Sequence, residues 1–246
     1  MVLLTALRFQ KLRRYLFPFV LVALLAVSAC SQTSGGETSV SPTANPTAQE
    51  LEQRALPQLN GTATVVMVVK GAPITIEVNG NDAPLTAGNF VDLVQRGVYN
   101  GTVFHRVIRD PDPFVAQGGD PQSQDPEVPA SRLGMGNFVD PDTQQPRYIP
   151  LEIKPEGSDD PIYSQTLVDA LPVLKHRRGA VAMARSTAPD SASAQFYFAL
   201  EDLVFLDGSY AVFGYVTDGM DVVDGIQQGD RIESATVTEG LENLQR

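Results

Sequence analysis

From residue 62 onward the chain repeats one device: a short run of β-branched and aromatic residues, then a turn. TATVVMVVK (62–70) and PITIEVN (73–79) flank Gly71-Ala72, a hairpin signal. TVFHRVI (102–108), FVAQGG (114–119), RYIPLEI (147–153), GAVAMAR (179–185), AQFYFAL (194–200), YAVFGYV (210–216) and RIESATVTE (231–239) follow. Only two stretches read as helix. In the first, Pro84 suits an opening turn, Phe90, Leu93 and Val94 fall at i, i+3 and i+4, and Gly97 sits where a helix would end. The second is GMDVVDGIQ (219–227). Many short strands with two helices predict an antiparallel sandwich or barrel. The strand–helix alternation of a parallel sheet is missing. Residues 119–146, rich in Pro, Asp, Gln and Gly, read as a long surface loop.

The first sixty residues differ in kind. Arg8, Lys11, Arg13 and Arg14 precede YLFPFVLVALLAV (15–27), which as a helix would be about 20 Å long, short of the ~30 Å hydrocarbon core. Small residues Ser28 and Ala29 then lead to Cys30, the only cysteine. This predicts a secretory signal peptide over 1–29. Val27-Ser28-Ala29-Cys30 resembles the bacterial lipoprotein box, in which the thiol takes a diacylglycerol and becomes the new N-terminus. Two or three acyl chains, at ~0.8 kcal/mol per buried methylene, would hold the protein to a membrane. Residues 30–60 then form a Ser/Thr/Pro-rich tether, too poor in apolar groups to offset its ordering entropy. Residues 61–246 are expected to fold as one domain.

Charge and motif content exclude several functions. The formal net charge is −11, and loss of a leader with four basic residues makes the remainder more acidic. Nucleic-acid binding needs a basic face to replace counterions and is not expected. There is no HExxH and no GxSxG, so neither a zinc-hydrolase ligand set nor a nucleophile elbow is present. Gly134-Met135-Gly136 is a lone GxG without a following helix, too little for a dinucleotide site. Any chemistry must work through shape and hydrogen bonds, with no metal and no cofactor.

FHRVI (104–108), FVAQGGD (114–120), GAVAMAR (179–185), AQFYF (194–198) and LDGSYAVFGYV (206–216), in that order, resemble the cyclophilin-type peptidyl-prolyl cis–trans isomerases. The resemblance implies a mainly β fold: a closed eight-stranded antiparallel barrel capped by two helices, with substrate on the outer face. It implies Arg106 as the catalytic arginine, with His105 beside it. The proline seat would take Phe114, Val115 and Tyr197, the last where the family usually has Phe. Gln117 and Gln195 are its glutamines, Ala184 and Arg185 its backbone-contacting pair, and Phe205, Leu206 and Tyr210 its rim. Taken singly, Arg106 reads as a strand surface residue and His176 as turn structure. Phe196 and Phe198, by strand period, belong to the core.

Three departures from the family pattern stand out. RDPDP (109–113) lengthens the connection from Arg106 to Phe114, leaving their relative geometry open. Phe205 stands where eukaryotic members have Trp, and Tyr210 where a rim histidine is frequent. The expected activity is rotation of Xaa–Pro bonds in exported or unfolded polypeptides, by a monomer lipid-anchored on the extracytoplasmic face of a bacterial membrane, in the periplasm or an internal lumen. The alternative is a module of the same fold that holds Pro-containing partners with little turnover.

Overall fold

In the computed structural model the described residues are 55–246. The signal peptide, Cys30 and most of the tether lie outside them.

The first long elements show how pattern becomes structure. β2 (Thr62–Val69) and β3 (Ala72–Asn79) pair antiparallel. Burial alternates along both, so that Val65, Met67 and Val69 meet Ile74, Ile76 and Val78 on one face, all fully buried. The hairpin turn is Lys70-Gly71, one residue earlier than the sequence suggests. Both have positive φ, 54° and 73°, the two-residue geometry whose twist matches the flanking strands.

β4 (Arg106–Val107), β5 (Val115–Gly118), β8 (Ala180–Met183), β9 (Phe196–Ala199), β10 (Val212–Asp218) and β11 (Ile232–Glu239) complete an eight-stranded antiparallel sheet in the order β11-β2-β3-β10-β8-β9-β5-β4. β6 (Glu152–Ile153) pairs with β7 (Ile162–Tyr163) in a separate ribbon. The expected closed barrel is corrected to a curled, open half-barrel, since β4 and β11 are unpaired ends. They approach only through the single bridge Val103–Arg231 and backbone bonds such as Phe104 N to Asp230 O at 2.8 Å. β4 is the reason. Of TVFHRVI, read as one strand, only Arg106 and Val107 form a ladder, and Val103 makes just the isolated bridge, too short an edge to close the sheet.

α1 (Pro84–Gln95) packs against this sheet, and α2 (Met220–Asp224) is a single short helical stretch. The Phe90 ring meets Phe213 at 4.8 Å and Tyr99 at 5.2 Å, with Phe196 against both Tyr99 and Phe90. Residues Leu85–Val94 are all buried, because β1 (Gln58–Leu59) crosses the helix. At Gly88 a Cβ would stand 2.4 Å from the Pro57 carbonyl oxygen, so only glycine permits that crossing. β1 pairs with β12 (Leu244–Gln245) and Leu59 is fully buried. Residues 58–60, grouped with the tether from sequence, are therefore part of the folded body. The orphan N–H groups of Leu85 and Thr86 at the start of α1 donate to the buried Glu152 carboxylate at 3.1 and 2.7 Å.

Strand period also prepares the site. Phe196 and Phe198 of β9 join the main core, while Tyr197 and Ala199 face the other side of the sheet. There they pack with Val115, Ala180, Ala182, Leu203 and Val212 into a second apolar layer.

Candidate active site

That second layer is the floor of a hollow on the outer face. Arg106 of β4 and Gln117 of β5 are cross-strand partners, so their side chains leave the sheet together. Arg106 Nη1 donates to Gln117 Oε1 at 3.2 Å, Gln117 Nε2 to Gln195 Oε1 at 3.2 Å, and Gln195 Nε2 to the Gly136 carbonyl at 2.9 Å. This amide relay ties an exposed guanidinium to the body of the protein. The guanidinium carbon also stands 5.5 Å from the Phe114 ring centroid, a cation–π contact worth about 0.5–1 kcal/mol when exposed.

The RDPDP insertion leaves this geometry intact. Ile108 N donates to Val115 O at 2.9 Å and Phe114 N to Ile108 O at 3.0 Å, closing residues 109–113 into an outward loop. Arg106 and Phe114 therefore meet across the base of that loop.

The hollow measures about 270 Å³. It is lined by Arg106, Phe114, Val115, Gln117, Ala184, Arg185, Tyr197, Leu206 and Tyr210, all named from the sequence. Val115 and Tyr197 are buried, and Tyr210 sets its ring edge-on to Tyr197 at 6.2 Å. Arg185 is not free to reach into it. Its Nη2 and Nε donate to the Ser209 carbonyl at 2.7 and 3.0 Å, and the group lies 4.7 Å from the Tyr210 centroid. A larger hollow of about 380 Å³ adjoins on the Gln117, Ala184 and Arg185 side.

Three residues named from the sequence stand outside the small hollow. Gln195 lines the larger one and acts on Gln117. Phe205 is 71% exposed and stacks on Phe114, ring centroids 5.9 Å apart. His105 is half-buried beside Gly134, where a Cβ would stand 3.2 Å from the imidazole. Burial lowers its pKa, opposed in part by the Asp120 charge, so the ring is neutral.

Sequence reasoning missed two groups. His176, read from the sequence as turn structure, is 1% exposed and joins the support of Tyr197. Its Nδ1 lies 2.8 Å from Asp207 Oδ1 and its Nε2 2.9 Å from the Tyr197 hydroxyl. A Tyr at a buried aromatic position, whose hydroxyl needs a partner, was the available signal. The second group is Asp120, fully buried at the root of the 119–146 loop. Its carboxylate accepts from Gln122 N at 2.9 Å, Gly134 N at 2.6 Å and Gly136 N at 3.3 Å. A Cβ on Gly136 would fall 1.9 Å from Asp120 Oδ1, so glycine is what allows the loop to close on its anchor.

The site thus joins a guanidinium tied to Gln117, a hollow with aromatic and aliphatic walls and a set of amides. It contains no nucleophile–base pair. Such a set can grip a ring and hydrogen-bond to a flanking peptide.

Known proteins carry the same architecture. A family model described as cyclophilin type peptidyl-prolyl cis-trans isomerase/CLD matches residues 64–242. A Synechocystis protein, whose name describes a thylakoid lumen peptidyl-prolyl cis-trans isomerase, is 45% identical over 77% of this chain and 50% of its own length. The chloroplastic peptidyl-prolyl cis-trans isomerase CYP38 of Arabidopsis thaliana is 40% identical over 78% of this chain and 46% of its own length. The chain thus spans about half the length of these two relatives. A cyclophilin type peptidyl-prolyl cis-trans isomerase from Cryptosporidium parvum superposes with a TM-score of 0.55 at 23% identity, covering 72% of this chain and 98% of that one, and shares the fold. Sequence motifs, sheet and matched span agree, and the chain belongs to the cyclophilin-type peptidyl-prolyl cis-trans isomerase family.

Proposed function

We propose that this protein accelerates rotation about Xaa–Pro bonds in polypeptides outside the cytoplasm, with Arg106 as the catalytic group. One observation carries the reading: a guanidinium held by Gln117 beside a hollow of about 270 Å³ whose walls include Phe114, Val115, Tyr197 and Leu206. The planar imide resists rotation by ~18–20 kcal/mol. At the twisted midpoint its resonance is lost and the prolyl nitrogen gains a lone pair. A donor aimed at that nitrogen binds the twisted form better than either planar form, which is what rate enhancement requires. A charge-assisted bond contributes about 1.5–3 kcal/mol, or one to two powers of ten in rate. Phe114, Val115, Tyr197 and Leu206 hold the ring. Gln117 and the backbone at Ala184–Arg185 pin the chain while the preceding carbonyl swings. No metal, acid–base pair or cofactor enters.

An exchange assay on a short Xaa-Pro peptide tests this directly. Arg106→Ala should lose at least tenfold in kcat/KM with a nearly unchanged melting curve, since Arg106 is exposed and, among the described residues, its side chain bonds Gln117 and lies over the Phe114 ring. Wild-type turnover in that variant would refute the assignment. Saturable peptide binding without turnover in the wild type would replace the isomerase with a binding module.

The same proposal includes a monomer anchored through Cys30 on an extracytoplasmic membrane face. The leader pattern supports it, as do the lumenal and chloroplastic names of the two relatives. Among the described residues no helix is long and apolar enough to cross a membrane. Cys30→Ala should leave the protein unprocessed or release it from membranes. Unchanged mass and fractionation would refute the anchor.

A further inference from the structure

A third concavity, of about 650 Å³, opens beside Phe114. The outward loop and residues 201–205 form its walls. Its aromatic floor is the Phe114–Phe205 stack, whose planes lie within 19° of parallel. Four carboxylates line it, Asp110, Asp112, Glu201 and Asp202, and no basic residue does. Arg109, in the same loop, turns away, its Nη2 donating to the carbonyls of Val223 and Ile226 at 3.1 Å each. None of the four carboxylates takes part in an ion pair among the described residues.

The concavity borders the proposed proline seat, because Phe114 is a wall of both. The 380 Å³ hollow adjoins the seat through Gln117, Ala184 and Arg185. Three concavities therefore share walls in series with the seat in the middle, the arrangement an extended peptide would occupy. An extended chain advances about 3.3 Å per residue, so the outer groove takes a side chain within a few residues of the proline.

We infer that this groove is a substrate subsite selecting a lysine or arginine side chain near the isomerised proline. The inference rests on the isomerase reading and names its sequence preference. Two features choose a basic side chain over a metal ion. Among the described residues no three His, Cys, Asp or Glu side chains are placed to hold a metal ion, so the carboxylates act as a field and not as a chelating set. The Phe205 ring, 71% exposed, is apolar and aromatic, which suits the methylene stem of Lys or Arg and its cationic head over a ring.

The test uses the full-length protein and proline peptides carrying Lys, Gln or Glu at positions before or after the proline. Turnover is read by exchange and affinity by titration, each at low and high salt. At low salt the Lys peptide should exceed its Glu counterpart by about tenfold in kcat/KM on one side of the proline only, and the ratio should shrink as salt screens the exposed charges. The double variant Asp112→Asn with Glu201→Gln should cut that ratio to about twofold while turnover of the Gln peptide holds. Asp218→Asn removes an equal kind of charge outside the groove and should leave the ratio alone. A ratio near one at low salt overturns the subsite. So does a ratio indifferent to the double variant, and so does an equal loss in Asp218→Asn, which would trace it to the overall charge. If no peptide turns over, the isomerase reading fails, and the dissociation constants alone still decide the subsite.

Discussion

The Tyr197 hydroxyl lies 2.9 Å from His176 Nε2, and Tyr197 is a wall of the 270 Å³ hollow. Asp207 can only accept, so the imidazole proton sits on Nδ1, and Nε2 accepts from the Tyr197 O–H. Tyr197 lines the hollow while its hydroxyl is bonded to the buried His176. Tyr197→Phe should therefore leave the seat's shape and the peptide KM nearly unchanged. It should still lower stability by about 1–3 kcal/mol, because His176 Nε2 is left buried without a partner. Denaturant unfolding beside a kinetic assay checks both halves. A large rise in KM with unaltered stability would contradict the assignment.

His176 makes the fold sensitive to mild acid. Burial lowers its pKa from the ordinary 6.5, and the Asp207 bond and charge offset this only in part. The folded state thus takes up a proton less readily than the unfolded chain. Stability from the neutral ring is complete above pH 6.5 and declines as pH falls below it. The melting temperature of the wild type should fall through that window more steeply than that of His176→Gln. The slope left in the variant combines His105, which burial shifts in the same direction, with the buried Glu152 carboxyl, which burial pushes up and which therefore acts in the opposite sense. Parallel curves would show that His176 does not titrate with folding.

Asp92 is the structural keystone of the opposite side. It is fully buried in α1 and takes bonds from Arg96 Nε at 2.8 Å, Arg147 Nη1 at 2.8 Å and Arg246 Nε at 2.6 Å. Burial pushes its pKa up. The bonds from Arg246 and Arg147 and the charges of Arg147 and Arg96 outweigh that, and hold it below the ordinary 3.8. Its contribution is therefore present above pH 3.8 and is lost as pH falls through the lower folded value. Asp92→Asn should cost about 3 kcal/mol near neutrality, the low end for a broken buried pair, because Arg96 and Arg246 keep contact with water. The difference from wild type should close in strong acid. A neutral-pH loss below about 1 kcal/mol would show that the three arginines are held by other means.

Much of this was legible in the sequence because it is local. Alternation in 62–79 dictated the hairpin, and helical spacing placed Phe90 inward. Five ordered motifs located nine wall residues of the seat. Less local features escaped. TVFHRVI reads as a full strand, yet only Arg106 and Val107 form a ladder. Gln58–Leu59 looks like tether until Leu244–Gln245 arrives to pair with it. Whether Arg109 enters the acidic groove or leaves it depends on carbonyls more than a hundred residues away.

The amino-acid sequence by itself determined the secondary-structure periods, the order of the motifs and the residue types of the seat, since each depends on near neighbours along the chain. Tertiary structure alone decided that the sheet stays open, that His176 supports Tyr197 and that Asp92 gathers three arginines. It also decided that a five-residue insertion becomes one wall of a groove. Those outcomes hinge on which distant atoms satisfy buried polar groups, and backbone closure, not local pattern, selects those atoms.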